Sequence, residues 1–251
     1  PIYYIKAAFQ GKLGSFMAAF FAIAIILALG FMGNMVQSNS IGDAFYTAFG
    51  VPKLAVGIAV AAVSAFIFLG GVKRIAAITE KLVPIMAIFY ICGSLIAIGL
   101  NAENILPALK SVFVGAFTPE AVMGGAVGIS IKEAVRFGVA RGLFSNEAGM
   151  GSTPHAHAMA KVAKPQDQGA VAMVGVFVDT FIVLTMTALV ILTSGMLGTT
   201  GADGQMLTAT ALAQAAFNNS FGILGSVFVA ICLLFFAFST IIGWYFFGET
   251  N

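Results

Sequence analysis

Charged residues are scarce in this chain of 251 residues: 9% are Asp, Glu, Lys or Arg, whereas 60% are hydrophobic. Soluble domains carry about 25% charged residues because their surface faces water. A chain with so little charge cannot cover a water-soluble globule, so the composition excludes a single soluble domain. The formal net charge of +2 is also too small to indicate a nucleic-acid partner.

Cysteine is nearly absent as well. The two cysteines, Cys92 and Cys232, both lie inside apolar runs, where a free cysteine behaves as a small buried hydrophobe. This usage supports neither a disulfide framework nor a thiolate metal site.

Long apolar stretches are what the sequence has in abundance. A bilayer-spanning helix needs about 20 mostly apolar residues, and six stretches meet or nearly meet that length. Segments rich in Gly, Pro, Asn and charge separate them. The predicted fold is therefore an all-α integral membrane protein, a polytopic helical bundle with spans at about 13–37, 54–72, 82–100, 119–144, 170–193 and 221–247.

The positions of the basic residues predict the orientation of the spans. Lys and Arg accumulate on the cytoplasmic side of membrane proteins. If the first span runs from inside to outside, ten of the 12 Lys and Arg residues lie inside, and only Lys53 and Lys110 lie outside. We therefore expect a multi-pass protein of the cytoplasmic membrane with residue 1 on the cytoplasmic side.

The region 105–144 is too long for one span. Thr118-Pro119-Glu120 is typical of a helix start, so we predict a short helix over 105–116 and a new helix from Pro119. Three glycines follow within Gly124–Gly128. They favour either close helix packing through small residues or an unwound stretch that exposes backbone groups to a ligand, and the residues alone leave both open.

Several polar residues lie inside predicted spans. Asn34 and Gln37 are three residues apart on one helix face, where buried amides bond either to neighbouring helices or to a ligand. Asp179 stands alone in the fifth span. An intramembrane carboxylate serves cation or proton coupling, or it bonds a hydroxyl on a neighbouring helix. The sequence does not decide between these roles.

Ser239 and Thr240 are adjacent hydroxyls in the last span. A hard cation such as sodium prefers oxygen ligands, which two hydroxyls and nearby backbone carbonyls supply. Taken alone, the pair more often bonds back to the preceding helical turn.

Gly142–His157 is the stretch with the most closely spaced candidate functional residues, but its pattern does not indicate an enzyme active site. It follows a predicted helix and lacks the Lys-Ser/Thr ending of a phosphate-binding loop. His155 and His157 are two residues apart and would point to different helix faces, which disfavours a shared metal ion. Asp179, Glu133 and His155 belong at different depths, and no nucleophile–base pair is visible. We predict that the protein is not an enzyme and uses no cofactor.

The stretch ARGLFSNEAGMGSTPHAHA resembles the signature of the alanine or glycine:cation symporter family. Other segments resemble that family in the same order, so the resemblance covers essentially the whole chain. These are PIYYI, GNMVQSNS, GGVKRIAAITEKLVPIMAIFY, AFTPEAVMGG, GVFVDTFIVLTMTALVILTSG and FAFSTIIGW.

The resemblance implies part of a LeuT-like fold, which has two inverted repeats of five helices. The six spans would be helices three to eight, and the fourth would be the discontinuous sixth helix, so ligand binding is the favoured role of its glycines. The implied substrate-binding residues are Asn34, Gln37, Phe117, Thr118, Met123, Gly124 and Gly125.

The resemblance also implies a cation site. Ser239 and Thr240 resemble the eighth-helix hydroxyl pair that helps to coordinate sodium, with the carbonyl of Phe236 nearby. Sodium would be the coupling ion, and no transition-metal site is expected. The remaining partners would be the lipid bilayer and alanine or glycine, with no obligatory protein partner.

The implied function is sodium-coupled symport of alanine or glycine by alternating access. The alternative is a transporter of another small solute coupled to protons or another cation. The family's first two helices would precede Pro1, and further helices would follow residue 251. Because the first helix would supply half of the ligands, we expect that these 251 residues alone do not transport.

Overall fold

The computed structural model describes residues 1–117, 127–145, 147, 149–201 and 204–251, and these residues are mainly helical, with turns and loops between the helices. This confirms the all-α prediction. The helices are α1 (Ile2–Ala8), α2 (Gly11–Phe49), α3 (Lys53–Phe68), α4 (Gly71–Leu100), α5 (Ile105–Phe117), α6 (Val127–Ser145), α7 (Pro154–His157), α8 (Pro165–Thr193), α9 (Ala209–Phe221) and α10 (Ile223–Thr250).

Four of these helices, α2, α4, α8 and α10, are long and apolar enough to cross a membrane. Many large apolar side chains along them are exposed, including Phe20, Phe31 and Phe181. Such exposure is costly in water and is expected where lipid or another helix covers the surface. The prediction of a polytopic membrane protein is confirmed, whereas the LeuT-like arrangement stays a prediction.

Two helices extend well beyond the apolar runs that predicted them. α2 continues through residues 38–43, which are mostly polar, and ends at Phe49; the left-handed φ of 69° at Gly50 closes the helix. α4 begins at Gly71, not near residue 82, and includes Lys73, Arg74 and Lys81. A helix can carry such residues past the hydrocarbon layer because long basic side chains reach the interface.

Both α2 and α8 contain a π-helical segment near the middle. These segments are Ile26–Gly33 in α2 and Val178–Leu184 in α8. A π-helical turn inserts extra residues into the α-helical pattern, often at functional sites. It changes which side chains face a neighbouring helix beyond that point.

The helices α2 and α10 pack antiparallel and form the core of the described structure. Near one end, Ile25 and Leu29 cluster with Phe247. Further along α2, Ile41 clusters with Ala237. Residue numbers therefore rise along α2 where they fall along the adjacent α10. This alignment shows which polar residues of the two helices lie at the same depth.

The short helix α9 is fastened across one end of this pair. Gln214 is almost fully buried, and its Nε2 donates to the carbonyl of Ala44 on α2 at 3.1 Å and to that of Ser226 on α10 at 3.2 Å. One buried amide thus joins three helices.

Candidate functional site

Three oxygen atoms of α10 meet at the predicted cation site. The hydroxyls of Ser239 and Thr240 both donate to the carbonyl oxygen of Phe236, each at 2.9 Å. This is the back-bonding of serine and threonine to the preceding helical turn. It also gathers two hydroxyl oxygens and one carbonyl oxygen at one point, and this donor type suits a hard cation.

The surroundings of this triad are largely apolar. Ser239 is buried and faces α4, with its hydroxyl 3.8 Å from the sulfur of Met86. Phe236 packs its ring edge-on against Tyr90 of α4, with ring centroids 5.6 Å apart. The described contacts of the triad with α4 are therefore made to a sulfur atom and an aromatic ring.

Gln37 lies at the level of the triad. It is one turn from Gly33, which contacts Trp244 of α10, and one turn from Ile41, which clusters with Ala237. Ser239 and Thr240 lie between Ala237 and Trp244 on α10. The antiparallel packing thus brings the half-buried amide of Gln37 to the same depth as the two hydroxyls.

The amide nitrogen of Asn34 is bonded within its own helix, whereas the amide oxygen has no partner among the described residues. Nδ2 of Asn34 donates to the Gly30 carbonyl at 3.2 Å, so the amide nitrogen has a hydrogen-bond partner. Its Oδ1 is buried and has no hydrogen-bond partner among the described residues. A buried acceptor left unpaired costs free energy, so this oxygen is suited to a donor from a ligand or water.

The groove beside Asn34 holds a second unpaired group. The groove has a volume of about 770 Å³ and runs between α2 and α3. Ser64 of α3 lines it too, and the buried hydroxyl of Ser64 also lacks a partner in the described part of the chain. Sequence reasoning missed Ser64, since a lone serine in an apolar span usually bonds to its own helix.

The other predicted substrate-binding residues are not placed by the structure. Thr118, Met123, Gly124 and Gly125 lie outside the described residues, and Phe117 is described only as the last residue of α5. The structure therefore brings together the cation triad on α10, sets Gln37 at the depth of that triad, and places Asn34 in the groove between α2 and α3. Their meeting with the glycine-rich stretch stays a prediction.

Asp179 lies apart from the α2–α10 pair. It is half-exposed in the π-helical segment of α8, and its Oδ2 accepts a hydrogen bond from the Ser145 hydroxyl of α6 at 3.3 Å. The structure thus shows the bond to a neighbouring helix that was one of its two predicted roles. Ion or proton coupling, the other role, stays a prediction.

The Gly142–His157 motif makes contacts that sequence reasoning did not find. Glu147 accepts a hydrogen bond from the indole of Trp244, 97 residues away, at 2.6 Å. His155 and His157 have different partners, the Ser152 carbonyl and Gln168. Within the described residues, no group of three or more His, Cys, Asp and Glu residues is placed to hold a metal ion.

A comparison with known families gives a match over the whole chain. The model of the sodium:alanine symporter family matches residues 1–251.

Individual relatives agree with that match. A sodium/alanine symporter of Methanococcus maripaludis is 39% identical over 250 residues, covering 99% of this chain and 54% of the relative. A sodium/proton-dependent alanine carrier protein of a Bacillus species is 40% identical over 237 residues, covering 91% and 52%. A probable sodium/glutamine symporter of Bacillus subtilis is 39% identical over 251 residues, covering 100% and 50%. The chain spans about half the length of these relatives.

Proposed function

Since the chain belongs to the sodium:alanine symporter family, we propose that the full-length protein couples the transport of a small neutral amino acid to sodium. The proposed substrate is alanine or glycine, and the mechanism is alternating access across the cytoplasmic membrane, with residue 1 on the cytoplasmic side. Relatives named for alanine symport support the class of substrate.

The observation that carries the proposal is the oxygen triad of Phe236, Ser239 and Thr240. When sodium arrives, rotation of the two hydroxyls turns their hydrogens away from the Phe236 carbonyl, so that all three oxygens face the ion. The back-bonded state keeps the same groups satisfied when the site is empty. The switch between these arrangements requires no movement of the α10 backbone.

The amides of α2 are proposed to bind the amino acid beside this ion. The unpaired Oδ1 of Asn34 is an acceptor for the substrate ammonium group, and Gln37 lies at the depth of the triad. A substrate carboxylate would interact with the bound sodium and with backbone amides of the glycine-rich stretch. Ion and substrate would then favour the same occluded state, which is the basis of coupling.

A coupled proton is the second candidate, and the name of the Bacillus sodium/proton-dependent relative favours testing it. Uptake of labelled alanine by the full-length protein in proteoliposomes separates the two. We expect an inward sodium gradient to raise initial uptake at least severalfold over potassium at equal pH. Uptake that is indifferent to sodium but is abolished when a proton gradient is collapsed would establish the proton-coupled alternative.

We expect the Asn34 amide to contribute to substrate binding and not to folding. We expect Asn34→Ala to lower alanine uptake about tenfold to hundredfold, the usual effect of losing one hydrogen bond to a charged group. Ser40→Ala is the control, because Ser40 is on the same helix, is not among the residues that line the groove beside Asn34, and donates to the Val36 carbonyl at 3.0 Å. Equal uptake by the two variants, both monodisperse, would remove Asn34 from the site.

A further inference from the structure

The segment that follows α6 is fixed to α10 through both oxygens of one carboxylate. Oε1 of Glu147 accepts from Nε1 of Trp244 at 2.6 Å, and Oε2 accepts from the hydroxyl of Ser152 at 2.7 Å. Hydrogen bonds to an ionised group are shorter and stronger than neutral ones. The carboxylate thus connects its own segment to a helix far away in sequence.

The backbone at Glu147 is held in an unfavourable conformation. Its φ is +54°, in the left-handed region that residues with a Cβ rarely adopt. Such a conformation persists only where the surrounding contacts enforce it, and such positions cluster at functional and switching sites. At Glu147, the contacts are the two hydrogen bonds of the side chain and the backbone hydrogen bonds to Phe144, Met150 and Gly151.

Trp244 joins three helices at this point. Its side chain is buried, and a methyl carbon on Gly33 of α2 would lie only 2.4 Å from the indole ring. Phe144, near the end of α6, meets the same indole edge-on with ring centroids 5.4 Å apart. The indole therefore contacts α2 with one part, α6 with another, and Glu147 with its N–H.

His155, which follows Ser152 in the same stretch of chain, also contacts the α2–α10 pair. The His155 ring is buried beside Phe21 of α2 and Phe247 of α10, with centroid distances of 6.3 and 5.5 Å. Its Nδ1 lies 2.6 Å from the carbonyl of Ser152, so Nδ1 carries the hydrogen of this bond. The segment is thus attached at two places, the carboxylate and the histidine.

We propose that Glu147, Ser152 and Trp244 form a latch that fastens the end of α6 to the α2–α10 pair and opens during the transport cycle. The cycle itself rests on the proposed function. α6 follows the glycine-rich stretch predicted to bind substrate, so movement of α6 relative to α2 and α10 must break these contacts. The hydrogen bonds of Glu147 can be exchanged for hydrogen bonds to water, which lowers the net cost of opening.

Accessibility of Met150 tests the latch without requiring transport. Met150 is partly buried against the cluster of Ile25, Leu29 and Trp244, so a cysteine there is partly protected while the latch is closed. The assay uses the full-length protein with Met150→Cys, with its native cysteines replaced, and a membrane-impermeant maleimide. We expect Trp244→Phe, which removes the N–H and keeps an aromatic ring, to speed labelling about tenfold.

Glu147→Ala should have the same effect, and the double variant should label no faster than either single variant, since both changes remove one interaction. If Glu147→Ala does not fold, the labelling rates of Glu147→Gln and Trp244→Phe are used to test the latch. Tyr245→Phe is the matched control: it is the next residue on α10, and its ring stacks on Phe68 away from the latch. Its labelling rate should equal that of the parent.

Labelling within twofold of the parent in both Trp244→Phe and the Glu147 variants would overturn the latch, as would equal acceleration by Tyr245→Phe. Sodium with alanine should change the parent's labelling rate severalfold and change that of Trp244→Phe much less. No change in the parent, with sodium-coupled uptake intact, would contradict opening during transport. A different result would contradict the proposed function alone: uptake that is not coupled to sodium, together with labelling that the latch variants still accelerate.

Discussion

Removing both hydroxyls of the oxygen triad is expected to abolish sodium-coupled uptake at ordinary sodium concentrations. In the double variant Ser239→Ala/Thr240→Val, Phe236 keeps its carbonyl, but two of the three oxygens are lost. Each interaction of a polar group with a charge contributes about 1.5–3 kcal/mol. We therefore expect the sodium concentration for half-maximal uptake to rise at least about hundredfold.

The measurement is the sodium dependence of initial alanine uptake by the full-length protein in proteoliposomes. Thr250→Val is the control, because Thr250 is on the same helix and bonds back to the Phe246 carbonyl at 2.7 Å in the same manner, but is exposed. Loss of a back-bond alone should leave the sodium dependence unchanged. A double variant with the parent's sodium dependence would show that the triad only satisfies its own helix.

The second large effect is expected at the closest approach of α2 and α10. Gly33→Ala places a methyl carbon 2.4 Å from Cζ3 of Trp244. The indole cannot easily move aside, because its N–H donates a hydrogen bond to Glu147 and Phe144 packs edge-on against its ring. Overpacking of this kind costs about 1–3 kcal/mol, and we expect the melting temperature to fall by about 5 °C.

Gly30→Ala is the matched control for that change. Gly30 lies one turn earlier in the same helix, and a methyl group there meets no atom within 4 Å. Since alanine favours a helix over glycine by up to about 1 kcal/mol, this variant should be as stable as the parent or more so. Thermal unfolding followed by size-exclusion chromatography in detergent compares the two. Equal melting temperatures would contradict the tight α2–α10 contact.

The sequence predicted the helical class and the membrane setting because both depend on composition and on the length of apolar runs. It placed the end of the first span near residue 37 because the apolar run stops there. The structure continues the helix to Phe49, since backbone hydrogen bonds do not require apolar side chains. The π-helical turns carry no comparable signature in residue type, so periodicity could not predict them.

The cation triad and the latch show the same difference between local and distant contacts. Ser239, Thr240 and Phe236 lie within two helical turns, so helix geometry alone brings their oxygens together. Glu147 and Trp244 are 97 residues apart, and their contact depends on how α6, α2 and α10 pack. A lone glutamate in a glycine-rich loop and the chain's only tryptophan were visible signals, but neither identifies its partner.

Reciprocal binding of sodium and alanine to the purified full-length protein tests the central claim most directly. If the two ligands share one occluded state, sodium must raise the affinity for alanine by the same factor by which alanine raises the affinity for sodium. We predict a factor of at least about five, typical of coupled sites, measured as the alanine Kd in sodium and in choline. The same alanine Kd in both salts would contradict sodium-coupled symport by this protein.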